Sequence, residues 1–414
     1  MYPRRMLSAC TSVLLVCLIA FVLQIFIHSP ISPVPLELPD ASPPSDYTKN
    51  ALQYPIKHTA WIIGKVPNPT AQFSRWFSMP RCVWSHAICF VHVKACQLAR
   101  VHVKPRPNQS VVKLGEGALK GPEDVCVDKS GAMYTVTRDG WIMKMHPNES
   151  WEYWKMVGGP DLLGLAMSMD GDLIVADASK GLLKVNQNSV TILASEVEGS
   201  KIRFADEAIE ASDGSIYFSD ASTKFELHNW FLDVLEAKPH GRLLKYDSST
   251  KRTTVLIDGL CFPNGVALSP AEDFLIVCET WRFRCLKYWL KGELEGKREP
   301  FIENLPGAPD NINLAPDGSF WIALLELRST ALDFVYRSSM AKHVVATFPK
   351  LMDMITPVKR KATVVNVGPD GKIRKMYDDW DGKVMSFVTS ALEFNGHLYL
   401  GSLQTNFVGK LPLH

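Results

Sequence analysis

Residues 203–220 read RFADEAIEASDGSIYFSD. A strand-like run is followed by the tight turn Asp213-Gly214 and then by the β-branched and aromatic run SIYFSD, which is the signature of an antiparallel hairpin. The same arrangement recurs in AMSMDGDLIVADASKGLLKV (166–185), NLAPDGSFWIAL (313–324) and EFNGHLYLGSLQTNFVGKL (393–411). Six turn positions mark six units: Gly131, Gly171, Gly214, Glu272, Gly318 and Gly396. Most units run about 40 to 60 residues, the length of a four-stranded propeller blade. The sequence therefore predicts an all-β fold, a six-bladed β-propeller over 112–414.

The repeat carries a register. Eight residues before each turn lie Glu123, Leu163, Asp206, Asn264, Asp310 and Val388, and ten residues after each of those lie Met133, Leu173, Ile216, Phe274, Phe320 and Leu398. Equivalent positions at the start of the inner strands converge on one level of the central channel. Four of those six slots carry an oxygen-bearing side chain. Carboxylates held together at low dielectric repel unless they are protonated or neutralised, and a hard cation neutralises them. Carboxylates with amide carbonyls and without His or Cys select calcium or magnesium over zinc, and a flexible oxygen set suits Ca2+. The expected metal ligands are Glu123, Asp206, Asn264, Asp310 and, beside the last, Asn311. Taken singly, Asn264-Gly265 also reads as a turn and Asp310 as a strand cap.

Upstream, Arg4 and Arg5 precede an apolar run from Leu7 to Ile27 that is long enough to cross a bilayer as a helix. Residues 1–28 are read as a signal anchor, with a cleaved signal peptide as the competing reading. Positive charge before the run and Glu37, Asp40 and Asp46 after it place the remainder on the non-cytosolic, lumenal side. Sequons at Asn108 and Asn148 agree with that side as glycosylation positions. Residues 29–111 read as a proline-rich stalk and an insertion. Within it Cys82, Cys89 and Cys96 do not match a zinc spacing. Cys278 and Cys285 are candidates for a bridge within one blade, with free buried thiols as the equal alternative. Two further insertions, 225–239 and 329–354, have helical character and are placed to cap one face. An extra hairpin is expected at Pro369-Asp370-Gly371. A net charge of +2 provides no polybasic field, which excludes nucleic acid as an expected partner. Oligomeric state is not legible.

The stretches GPEDVCVD (121–128), PNGVALSPAEDFLIVCETWRFRCLKYWLKGELEG (263–296) and NLPGAPDNINLAPDGSFWIAL (304–324) resemble plant strictosidine synthase-like proteins and the related animal adipocyte plasma membrane-associated protein. More distantly, the pattern is similar to paraoxonase, gluconolactonase and senescence marker proteins. That resemblance implies a six-bladed propeller in the endomembrane system with catalytic calcium at the channel mouth, held by Glu123, Asp206, Asn264, Asp310 and Asn311. It also places Thr389 where strictosidine synthase carries its proton-shuttling glutamate, and Leu163 where paraoxonase carries its leading histidine. Thr389 does not titrate in the useful range, so the amine–aldehyde condensation of a strictosidine synthase is not expected. The expected activity is calcium-dependent hydrolysis of a small ester or lactone, of the arylesterase or lactonase kind. In this reading Asp206 or Glu207 activates water, with Glu207 equally readable as a structural partner of the site. A non-catalytic lumenal binding protein is the other reading. His228 and His240 flank the first insertion and read mainly as cap or surface residues; Tyr217, Trp281 and Trp321 read as blade core.

Overall fold

The computed structural model describes residues 2–36, 38, 48–51 and 110–413, apart from 327, 357–360, 380 and 381. The chain divides into two compact units, Met1–Gln53 with Ser110–His414, and Tyr54–Gln109. The second unit lies outside the described residues, and with it the stretch 81–104 and the sequon at Asn108.

Six sheets of four or five strands carry the described fold; four are built wholly from consecutive strands, and a fifth adds one N-terminal strand to four consecutive ones. The sixth closes the ring. Val112–Leu114 pairs antiparallel with Val408–Pro412, so the first strand of the domain forms the outer edge of the blade that the C-terminus begins. This pairing hides two edges that would otherwise be exposed. The six turn positions all adopt positive φ, from 51° at Glu272 to 91° at Gly171. The residues ten positions beyond the slots begin or nearly begin the second strands, and Met133, Leu173, Ile216, Phe320 and Leu398 are buried between blades. Alternation thus places one face of each blade against its neighbour, and the core consists of the seams between blades.

Several local expectations change. The hairpin at Pro369–Gly371 is an ordinary one, joining the third and fourth strands of the fifth blade, Ala362–Val367 and Ile373–Asp379. The extra length of that interval comes from helices Thr330–Arg337, Ser339–Thr347 and Lys350–Ile355, inserted between the second and third strands. Asn264-Gly265 is not a turn but belongs to the inner strand Pro263–Leu268. Cys278 and Cys285 face each other on adjacent antiparallel strands and form a disulfide, while Cys126 and Cys261 are free and buried. Closing so short a loop limits the entropy gained, so Cys278→Ser with Cys285→Ser is expected to cost about 2.5 kcal/mol. A melting curve with and without reductant reads this loss.

The slot end of the ring is covered. The insertion after the second strand of blade three forms helix Trp230–Glu236, whose buried Asp233 accepts from Ser222 Oγ at 2.6 Å and Trp281 Nε1 at 2.9 Å. Trp281 therefore serves the cap as well as its blade, stacking on Trp230 and packing on Phe262 at 4.5 Å. His240 bonds Glu236 at 2.7 Å within the same cap, and His228 is exposed. The first residues of the proline-rich segment also pack here. Ile31 and Leu36 are buried in the cap cluster, Ser32 N donates to Glu236 Oε1 at 2.8 Å, and Lys342 Nζ donates to the Val34 carbonyl at 2.6 Å. Residues 48–51 add a parallel fifth strand to the edge of blade five. Proline suits the strap, because an extended segment needs few backbone donors.

Candidate functional site

A bulge at the slot recurs around the ring. In blades two to five the ladder between inner and second strands breaks at Leu162/Leu165, Ala205/Ala208, Pro263/Val266 and Pro309/Ile312, and in blade six at Val388/Ser390. In blades two to five each break steps over the slot, and in blade six over the residue after it; a bulge re-aims side chains while bending the strand. The skipped pairs are Leu163-Gly164, Asp206-Glu207, Asn264-Gly265 and Asp310-Asn311, with Thr389 skipped in blade six. Glu123-Asp124 holds the equivalent place in blade one, just before Val125–Val127.

This second position of each pair adds residues that the single-slot reading passed over. Asp124 is buried; its Oδ1 accepts from Val125 N and its Oδ2 from Leu165 N, both at 2.8 Å. Shifting the sequence register by one residue gives Asp124, Gly164, Glu207, Gly265, Asn311 and Thr389, and that shift was the available signal. Thr389 is buried and donates from Oγ1 to the Glu123 carbonyl at 2.6 Å, so it positions the backbone of a site residue. Leu163 belongs to the apolar cap cluster.

Glu123, Asp124, Asp206, Glu207, Asn264, Asp310 and Asn311 are all buried. Two pairs link across blades: Asn311 Nδ2 donates to Glu123 Oε1 at 3.2 Å, and Asn264 Nδ2 donates to Asp310 Oδ1. Burial first, then Asp124, Asp310 and Asp206, pushes Glu123 well above the usual carboxylate range. Burial and then Asp124 and Glu123 do the same to Glu207. Burial and then Asp206 raise Asp310. Asp206 is pushed up to about 8 by burial and Asp220, whereas Asp124, also buried but accepting several hydrogen bonds, reaches about 6. Five carboxyl groups therefore share a space with too little positive charge to hold them ionised.

Among the described residues no group of three or more His, Cys, Asp and Glu side chains forms a metal-holding cluster by itself. The oxygen set includes the two amides, and their orientation bears on the fit. Each amide turns its NH2 toward a carboxylate, which leaves Asn264 Oδ1 and Asn311 Oδ1 buried without a hydrogen-bond partner. Such orphans are costly in a folded protein. Carboxyl and amide oxygens of this kind fit a hard divalent cation, which would take up both orphaned carbonyls and the excess negative charge.

Below the ring the inner strands enclose a cavity of ≈ 470 Å³. Glu207 lines one end, and Ser269, Pro270 and Glu272 line the other, at the turn face. The cavity thus extends from Glu207 toward the turn face, opposite the cap.

A family model described as strictosidine synthase matches residues 205–293, and one described as strictosidine synthase-like, N-terminal, matches 109–145. Protein STRICTOSIDINE SYNTHASE-LIKE 4 of Arabidopsis thaliana is 35% identical over 72% of this chain and 81% of its own length. The chain belongs to the strictosidine synthase-like family. Another relative of this family member, the adipocyte plasma membrane-associated protein of Mus musculus, is 36% identical over 73% of this chain and 77% of its own. The strictosidine synthase-like fold is shared with a gluconolactonase from Xanthomonas campestris, at a TM-score of 0.54 and 14% identity over 77% of this chain and 93% of that one. Luciferin-regenerating enzyme shares it at a TM-score of 0.51 and 15% identity, over 74% and 95%. At these identities the likeness is one of fold.

Proposed function

We propose that this strictosidine synthase-like protein is a calcium-dependent hydrolase of a small ester or lactone. The observation that carries this reading is the pair of buried, partnerless carbonyl oxygens, Asn264 Oδ1 and Asn311 Oδ1, among five carboxyl groups. Glu123, Asp206, Asn264, Asp310 and Asn311 would hold the cation, and Asp124 would hold the bulge backbones in place through its two bonds. When bound, the cation supplies positive charge and Lewis acidity toward a carbonyl oxygen. Glu207 is the member of the cluster that also lines the cavity, so it is the group placed to meet water and ligand. Burial pushes its carboxyl well above the usual carboxylate range, and positive charge in the ring would lower its affinity for a proton. In its ionised form it takes a proton from water as hydroxide adds to the acyl carbon. The acyl–oxygen bond then breaks and the departing alkoxide takes the proton back. Asp206, absent from the cavity lining, serves the ring instead.

Turnover on a panel of lactones and aryl esters is expected with calcium and to vanish on chelation. Glu207→Gln is expected to lower kcat by about a hundred-fold while leaving the calcium-induced rise in Tm intact. Activity that ignores chelation would overturn the assignment. The capped slot end favours one second reading, a non-catalytic binding protein whose cation is structural; calcium would then raise Tm without turnover on the panel. Tryptamine and secologanin are expected to give no condensation product, because Thr389 is committed to the Glu123 carbonyl.

The N-terminus supports a reading of the compartment. Residues Tyr2–His28 form a single helix, and Leu15, Val16, Leu18, Ile19, Leu23 and Ile27 on it are exposed. Among the described residues no helix is long and apolar enough to cross a membrane. The apolar run Leu7–Ile27 in the sequence and the exposed side chains support an anchor in an endomembrane bilayer. The propeller and the sequon at Asn148, on an exposed turn, are then lumenal.

A further inference from the structure

Four large apolar side chains of the helical insertion in blade five are exposed: Phe334 at 68%, Met340 at 49%, Phe348 at 43% and Met354 at 78%. They come from all three helices of one insertion, whose other side chains, Leu332, Val335, Val345, Ala346 and Met352, are buried in the cap. The exposed set also adjoins the N-terminal helix. Phe21 stacks on Phe348 with ring centroids 6.5 Å apart, Phe26 packs on His343 at 4.5 Å, and Thr347 Oγ1, which donates to the His343 carbonyl, lies 3.4 Å from the Ile25 carbonyl.

We propose that the cap insertion Thr330–Ile355 is a membrane-docking surface, seated in the lipid interface beside the anchor with the cavity mouth turned toward the aqueous lumen. The proposal rests on the anchor reading and adds an orientation to it. From Phe21 to the end of the helix at His28 is seven residues, or about 10 Å of rise at 1.5 Å per residue. Whatever packs on Phe21 therefore sits about that far below the point where the helix leaves the bilayer, which is the depth of the headgroup and acyl boundary that interfacial helices occupy. A surface held at that depth meets lipid, and Phe334, Met340 and Met354 are the side chains it presents. Exposed Arg337 and Lys350 flank them and suit anionic headgroups, with exposed Asp353 offsetting one of these charges. A second copy of this chain is the competing occupant. Against it stands the continuity of the patch with a helix on which Leu15, Val16, Leu18, Ile19, Leu23 and Ile27 are exposed.

The test uses the full chain, one copy per lipid nanodisc, with an environment-sensitive fluorescent amino acid in place of Met354, Ile19 or Ser249. Ser249 is exposed at the end of the outer hairpin of blade three, away from the cap. Lipids carrying a nitroxide high on the acyl chain are expected to quench the probes at 354 and 19 by about two-fold or more, as interfacial burial requires, and to leave 249 unaffected. Quenching at 19 without quenching at 354 overturns the docking while sparing the anchor. Quenching at neither position overturns both. A blue shift at 354 that appears only with several copies per disc assigns the patch to a second chain and also overturns the proposal. Phe334→Asp with Met354→Asp, at positions outside the buried core, is expected to abolish quenching at a probe in place of Met340 with Tm unchanged.

Discussion

Chelated protein is expected to lose stability as pH rises from 5 to 8, and calcium is expected to restore it at pH 8 far more than at pH 5. Asp206 has a folded-state pKa of about 8 against an ordinary 3.8, so between those values the folded chain keeps a proton that the unfolded chain has released. Stability linked to that proton is whole below the ordinary value and drains as pH climbs through the folded one, at about 1.4 kcal/mol per pH unit for each such group. Glu123, Glu207 and Asp310 shift in the same direction, and Asp124 to about 6. With a cation in the ring the carboxyl groups ionise at less cost, so binding expels protons and strengthens as pH rises. Calcium at about a hundred times its Kd adds roughly 2.7 kcal/mol. Thermal melts at pH 5, 6.5 and 8 with EDTA or calcium measure both trends. A chelated protein whose Tm is flat or rises over this range, or a calcium effect larger at pH 5, would sink the carboxyl-ring account.

Gly265→Ala is expected to destabilise the propeller by about 3 kcal/mol, at the upper end for overpacking. A Cβ at that position would lie 2.5 Å from Asp310 O, 2.5 Å from Ile312 N and 2.9 Å from Asn311 C, all backbone of the next blade's bulge. Gly164 is in the same position two seams away, with a Cβ 2.6 Å from Asp206 O and 2.7 Å from Glu207 Cα. Backbone cannot swing aside as a side chain can, so the substitution must push neighbouring inner strands apart at the level of the site. The calcium-induced rise in Tm is expected to shrink with it. Gly171→Ala is the control: its φ of 91° carries a conformational cost, but nothing lies within 4 Å of its added Cβ, and a loss of about 1 kcal/mol is expected. A Gly265→Ala protein within about 1 kcal/mol of the parent would show that the seam is not tight.

Much of this architecture was legible because propeller blades repeat. Asp-Gly turns at near-regular intervals, with an apolar residue ten positions beyond each slot, fix which residues face the seams, and this pattern needs no knowledge of long-range contacts. The same counting brought Glu123, Asp206, Asn264 and Asp310 to one level. It did not reach Asp124, because a period-two strand pattern assumes an unbroken ladder and the bulge adds a residue where the site begins.

Composition misread the strap at Ile31 and Leu36 for a related reason. Proline content describes what a segment cannot donate, whereas its burial depends on Glu236, Lys342 and Tyr336, each some two to three hundred residues away. The cysteine pair stayed undecided until the register placed Cys278 opposite Cys285. By itself, then, the sequence determined the repeat, the channel-facing slots and their oxygen chemistry, since these depend on local periodicity and side-chain type. The tertiary structure alone decided that glycine at 164 and 265 admits the neighbouring backbone, that the cap closes the slot end while the cavity extends from Glu207 toward the turn face, and that two carbonyl oxygens are left without partners. Those outcomes depend on how closely separate blades approach, a distance no single blade's sequence contains.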